Sequence, residues 1–160
     1  MSDAVDDILS QWQRERPDLD PSPMGIFGRI ARLAVLQREA SEERLAEYGI
    51  NAAEFDVLAT LLRSGPPYSL TPGRLARSAM VTTGGMTGRI NRLEAKGLVA
   101  RDGNEADRRS IRVRLTEEGK RTTDAAVGAH LAAESSLLES LSDSERARLT
   151  ALLAKLTGGR

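Results

Sequence analysis

The chain contains no cysteine, which excludes a disulfide framework, a thiol sensor and a cysteine–zinc site. Its single histidine, His130, cannot make a histidine-rich metal site and is a poor basis for a nucleophile triad. Aromatic residues make up 3% of the 160 residues against 40% apolar overall, so Ala, Leu, Val and Ile must build the core. No apolar run approaches the roughly 18 residues of a membrane-spanning helix. The first residues, MSDAVDD, are acidic where a signal peptide would be basic. Gly84-Gly85 lacks the strand that precedes a phosphate-binding loop. These absences point away from an enzyme and predict a cytoplasmic protein without metal or cofactor.

The formal net charge is zero, which argues only weakly against a nucleic-acid partner because the charge is unevenly placed. Residues 71–121 hold 12 Lys/Arg against 6 Asp/Glu, whereas residues 1–70 hold 7 against 12. The basic excess falls on one segment, the footprint expected of a DNA-contacting region.

That segment has a legible order. Thr71-Pro72 is a helix-start signal, and Leu75, Ala76 and Ala79 line one side of a short helix over 72–79. After a break at Met80-Val81, Thr82 or Thr83 caps a second helix ending before Gly97, with Met86, Ile90 and Leu93 as its apolar stripe. Residues 98–101 and the alternating 111–115 predict two strands around the polar stretch 102–110. Helix, turn, helix and a charged β-hairpin make a winged helix-turn-helix, a shape that reads DNA.

Helices flank this unit. Val5, Ile8, Leu9 and Trp12 predict an amphipathic helix over 3–15, stopped by Pro17. Ser22-Pro23 starts a helix running over 24–48. Asn51 and Glu54 form a capping box for a largely apolar helix over 52–63. Thr116 caps a helix over 117–140, and Ser142 with Glu145 caps a last one over 143–156. The fold class is therefore mostly α with a small β-hairpin wing. Four regions follow: 1–20, an extra helix and linker; 21–50, a dimerisation arm; 51–116, the winged helix-turn-helix; and 117–160, C-terminal dimerisation helices. The flanking helices carry more apolar surface than the winged helix can cover, which predicts a homodimer.

A helical wheel at about 100° per residue sorts the second helix of the motif. With Met86 at zero, Ile90 and Leu93 mark the core. Gly84, Gly88, Asn91 and Arg92 lie at about 140–240°, the face expected in the major groove. The glycines allow close backbone approach, and Asn91 and Arg92 can reach base edges or phosphates. Thr82, Thr83 and Thr87 suit phosphate contacts near the helix start. On the wing, Asn104, Arg108 and Arg109 occupy the tip. One of the two arginines is expected in the minor groove, the other on Asp107 or the backbone. Arg89, at about −60°, points back to the protein. Its expected partner is Asp56, read as the lone acid inside the apolar 52–63 helix, with Arg101 a second cation nearby. His130, mid-helix among apolar neighbours, reads as a packing or interface residue.

The motifs GGMTxRIxRLE, Gly97-Leu98-Val99-Ala100-Arg101, Asp107-Arg108-Arg109 and Leu115-Thr116-Glu117-Glu118-Gly119 together resemble the MarR family of bacterial transcription regulators, over roughly residues 24–157. The resemblance implies a homodimer with interlocked terminal helices on a palindromic double-stranded operator. Trp12, the stretch from Glu15 to Asp20, Ser22-Pro23-Met24, the EFDVL run, Arg89 and Arg101 are similar to the urate-responsive branch of that family. That likeness implies that Trp12, Asp56, Arg89 and Arg101 hold urate and that binding releases DNA, making the protein a ligand-relieved repressor. Two alternatives stay open: a regulator sensing another aromatic or phenolic anion, and a winged helix serving as an architectural or protein-interaction module.

Overall fold

The computed structural model describes residues 2–78, 83–103 and 111–158, with backbone alone at 83 and 84. The chain forms two compact units, Met1–Ala40 and Ser41–Arg160.

The first unit contains α1 (Ala4–Glu15) and most of α2 (Ser22–Ala46). Asp3 caps α1 through a reciprocal box with Asp6, accepting from the backbone N–H groups of Val5 and Asp6 at 2.8 and 3.0 Å. Arg29 of α2 donates to both Asp3 and Asp6 at 2.7–3.0 Å. Backbone N–H donation and the Arg29 guanidinium hold both carboxyls below their ordinary range. The apolar half of this contact is small. Val5 is buried, and a Cβ at Gly28 would lie 3.1 Å from its Cγ1. Ser22 is not a cap, as its Ser-Pro pair suggested, but the first helical residue. Asp20 takes the capping role, accepting from the Ser22 N–H and hydroxyl at 2.9 Å each.

The second unit is built around α3 (Ala52–Arg63), whose Val57, Leu58 and Leu61 are fully buried. The predicted Asn51–Glu54 capping box is present. Packed on α3 are α4 (Pro72–Ser78), α5 (Thr83–Ala95) and α6 (Glu117–Leu137). Leu75, Met86, Ile90, Leu93 and Ala126 complete that core. The final helix, α7 (Asp143–Thr157), opens on the expected Ser142–Glu145 box and has no buried residue.

The wing differs from the two-stranded expectation. Three short strands pair antiparallel in the order β1-β3-β2: β1 (Ser69–Leu70), β2 (Val99–Asp102) and β3 (Arg112–Leu115). Leu70 pairs with Val113, and Val99 with Leu115. Arg112 ties the added strand down, donating to the Ser69 carbonyl and hydroxyl at 2.7 and 3.0 Å. Val113 and Leu115 face the core while Arg112 and Arg114 face solvent, as the alternation predicts.

The LTxxG run explains how the wing joins α6. Thr116 accepts from the Gly119 N–H at 2.9 Å, caps α6, and donates to the Gly97 carbonyl at 2.7 Å. Its own N–H donates to the Leu98 carbonyl at 3.2 Å. Gly119 rests on that same carbonyl: a Cβ there would lie 1.8 Å from the Leu98 oxygen, so only glycine fits.

Candidate nucleic-acid interface

α5 is amphipathic as the wheel predicts: Met86, Ile90 and Leu93 are 0%, 1% and 0% exposed. Of the outward set, Asn91 and Arg92 are exposed and Gly88 is half-buried, and Thr87, nearer the helix start, is exposed as well. Thr83 and Gly84 form the first turn of α5. Thr82, Asn104, Arg108 and Arg109, with Asp107, lie outside the described residues.

The side chains of α5 divide into two flanks. On one, Arg89 donates to the Ala53 carbonyl at 3.3 Å and stands 3.5 Å from the Asp56 carboxylate, the partner expected from the wheel. Arg89 is 19% exposed and Asp56 is 55%, so the cation is sheltered while the acid stays open to solvent. Asp56 is not the lone acid of α3, however. Glu54, two residues earlier and so on another face of the helix, is fully buried. It accepts from the Lys96 ammonium at 2.7 Å and from the Asn51 N–H at 3.1 Å, with Arg92 at 3.6 Å. Lys96 also donates to the Gly49 carbonyl at 2.7 Å. Arg92, placed on the groove face by its angle, thus leans back toward α3. A long side chain at about 240° reaches either side.

On the other flank Arg101 donates to the Asn91 side-chain oxygen and pairs with Glu94. Asn91 and Glu94 lie at about 140° and 80° on the wheel, opposite Arg89. Arg101, expected near Arg89 and Asp56, is bonded here to Asn91 and Glu94. Trp12 is a half-exposed residue of α1, in the other unit.

Other cations surround α5. Arg74 and Arg77 are exposed on α4, and Arg63 donates to the Ser78 carbonyl at 3.0 Å where α4 ends. Their spacing on a short helix was the available signal, and the wheel of α5 alone does not include them. Arg114 pairs with Asp102 at 2.7 Å across the wing. His130 packs its ring 4.7 Å from that of Phe55, and its Nε2 is 3.2 Å from Glu134. Among the described residues, no group of three or more His, Cys, Asp or Glu could hold a metal ion, and no helix is long and apolar enough to cross a membrane.

Comparison with known proteins then decides the family. Residues 48–110 match the model of the MarR family. The chain is 38% identical over 152 residues to the HTH-type transcriptional regulator PecS of Dickeya dadantii, covering 95% of this chain and 92% of that protein. The chain belongs to the MarR family. It is a DNA-binding transcriptional regulator rather than an enzyme, and its winged helix is that of MarR proteins. Among solved structures it is similar to a MarR mutant from E. coli complexed with operator DNA, at 25% identity and TM-score 0.71, covering 98% of this chain and 99% of that one. It is also similar to Bordetella bronchiseptica BpsR, whose DNA binding is regulated by 6-hydroxynicotinic acid. The identity is 25% and the TM-score 0.69, covering 83% of this chain and 94% of that one.

Proposed function

We propose that the protein is a homodimeric repressor that binds a palindromic operator through α5 and the wing and releases it when a small anion, urate first among candidates, reaches Arg89. Thr82, Thr83, Gly84, Thr87, Gly88, Asn91 and Arg92 are the proposed contacts at α5, and Asn104, Arg108 and Arg109 those at the wing. Arg74 and Arg77 of α4 add phosphate contacts. The 21–50 and 117–160 regions form the dimer. Support comes from the exposed Ile26, Phe27 and Ile30 of α2 and Leu152, Leu153 and Leu156 of α7, apolar surface a second copy would bury.

The observation that carries ligand response is the Arg89–Asp56 pair. An anion entering beside a sheltered guanidinium competes directly with an exposed carboxylate 3.5 Å away, and Arg offers the paired donors that planar anions require. Loss of the Asp56 tie frees one flank of α5, the helix that meets DNA. Trp12 and Arg101 enter the ligand set by family resemblance: an aromatic face for stacking and a second cation.

Calorimetry with urate on wild type and Arg89→Ala, beside an operator shift titration on the DNA upstream of the protein's own gene, tests this. Wild type should release heat and lose the shifted band, and Arg89→Ala should do neither on urate addition. Absence of heat with wild type removes urate from the proposal. A second reading, an aromatic carboxylate as effector, is favoured by the 6-hydroxynicotinic acid response of BpsR. The same titration with that acid separates the two.

A further inference from the structure

Glu54 is the one fully buried carboxylate among the described residues, and capping α3 does not require it to be buried or to face two cations. Burying a carboxylate is costly unless its lone pairs are filled. Here they are filled unequally. Oε2 accepts two hydrogen bonds, from Lys96 and from the Asn51 N–H, at 2.7 and 3.1 Å. Oε1 stands 3.6 Å from the Arg92 Nε, beyond hydrogen-bond reach. Lys96 is thus the anchor, held a second time by the Gly49 carbonyl. Arg92 is the loose member, with its side chain 56% exposed.

We propose that Glu54 is a positioning residue for operator recognition: it fixes the C-terminal end of α5 through Lys96 and restrains Arg92 by charge alone. The role rests on the reading that α5 is the DNA-facing helix. Two consequences follow. Lys96 sets where the helix lies against α3, so its outward side chains arrive at the groove in register. Arg92 leaves Glu54 only for an anion or base edge that attracts it more strongly, so DNA that presents its groups in the wrong place gains little from it. Glu54 therefore raises discrimination rather than gross affinity.

The experiment measures affinity for the operator and for random-sequence competitor DNA at several salt concentrations. Glu54→Gln keeps the length and the capping acceptor but removes the charge. It should lower the operator-to-competitor affinity ratio about tenfold, with competitor binding tightened and its salt slope steeper by about one, as the freed Arg92 adds an ion contact. Lys96→Met should lower the ratio without steepening that slope, because Arg92 stays under the carboxylate. The double variant should be no worse in ratio than Glu54→Gln alone. Equal loss of operator and competitor affinity in Glu54→Gln, or additive losses in the double variant, overturns the proposal. Should Glu54→Gln fold poorly, Lys96→Met read by the same ratio decides it. Gly88→Glu places a negative charge on the outward face of α5 and should abolish binding. If it binds normally, the reading of α5 falls, and the Glu54 role with it.

Discussion

Each of the two units is held together internally, and by opposite means. In Met1–Ala40 the contact between α1 and α2 depends on charged groups at the surface, Asp3 and Asp6 on Arg29, beside the buried Val5. In Ser41–Arg160 a continuous apolar core from Leu45 to Ala126 does the holding, and the carboxylate of its Glu54–Lys96 pair is buried beneath a partly exposed ammonium. Exposed ion pairs add little stability and are screened by salt, whereas core burial is large and insensitive to salt. The first unit should therefore respond to solution conditions that leave the second unmoved. Its many exposed apolar residues also fit a segment that completes its packing with a second copy.

The largest expected effect is on the core. Leu58→Ala empties a fully buried site on α3 and should cost about 4 kcal/mol in denaturant unfolding, with loss of operator binding near the new midpoint. Gly119→Ala should follow at about 3 kcal/mol, from a methyl forced onto a backbone oxygen that cannot move aside. If either variant unfolds like wild type, the buried core is not what holds the second unit. Gly28→Leu in the first unit should unseat α1 at about 1 kcal/mol. It should change the fluorescence of Trp12, the chain's one tryptophan, without shifting the main transition. A shift of both would erase the contrast between the units. Smallest is the response to acid. Because Asp3 and Asp6 have folded-state values below the ordinary 3.8, their contribution is complete above that pH and fades as pH falls through the lowered values. Trp12 fluorescence should stay constant from neutral pH to about 4 and change only below it; a change near pH 6 would assign the contact to other groups.

Much of the fold was legible because its signals are local. The Asn51–Glu54 and Ser142–Glu145 boxes, the Thr116 cap and the Met86–Ile90–Leu93 stripe each depend on residues within one or two turns, and all appear in the structure. The Arg89–Asp56 pair was within reach for the same reason, since an angle on a helix says which way an arginine leaves it. Contacts set by distant pairing were not legible. Strand β1 has two residues, too few to show a period, and becomes a strand because β3 arrives beside it. Glu54 announced its cap but not Lys96, 42 residues on. That Arg101 bonds Asn91 and Glu94 was not legible either, because nothing in a linear pattern says that these residues lie beside the strand.

The joint at Gly119 has a mechanical meaning. Three points within a few residues fasten α6 to the start of β2: Thr116 to the Gly97 carbonyl, its N–H to the Leu98 carbonyl, and Gly119 pressed on that same oxygen. Such a joint has no slack to absorb a twist. The start of α6 and the turn into β2 are therefore fastened as one piece, and any side chain larger than hydrogen at position 119 would have to part them.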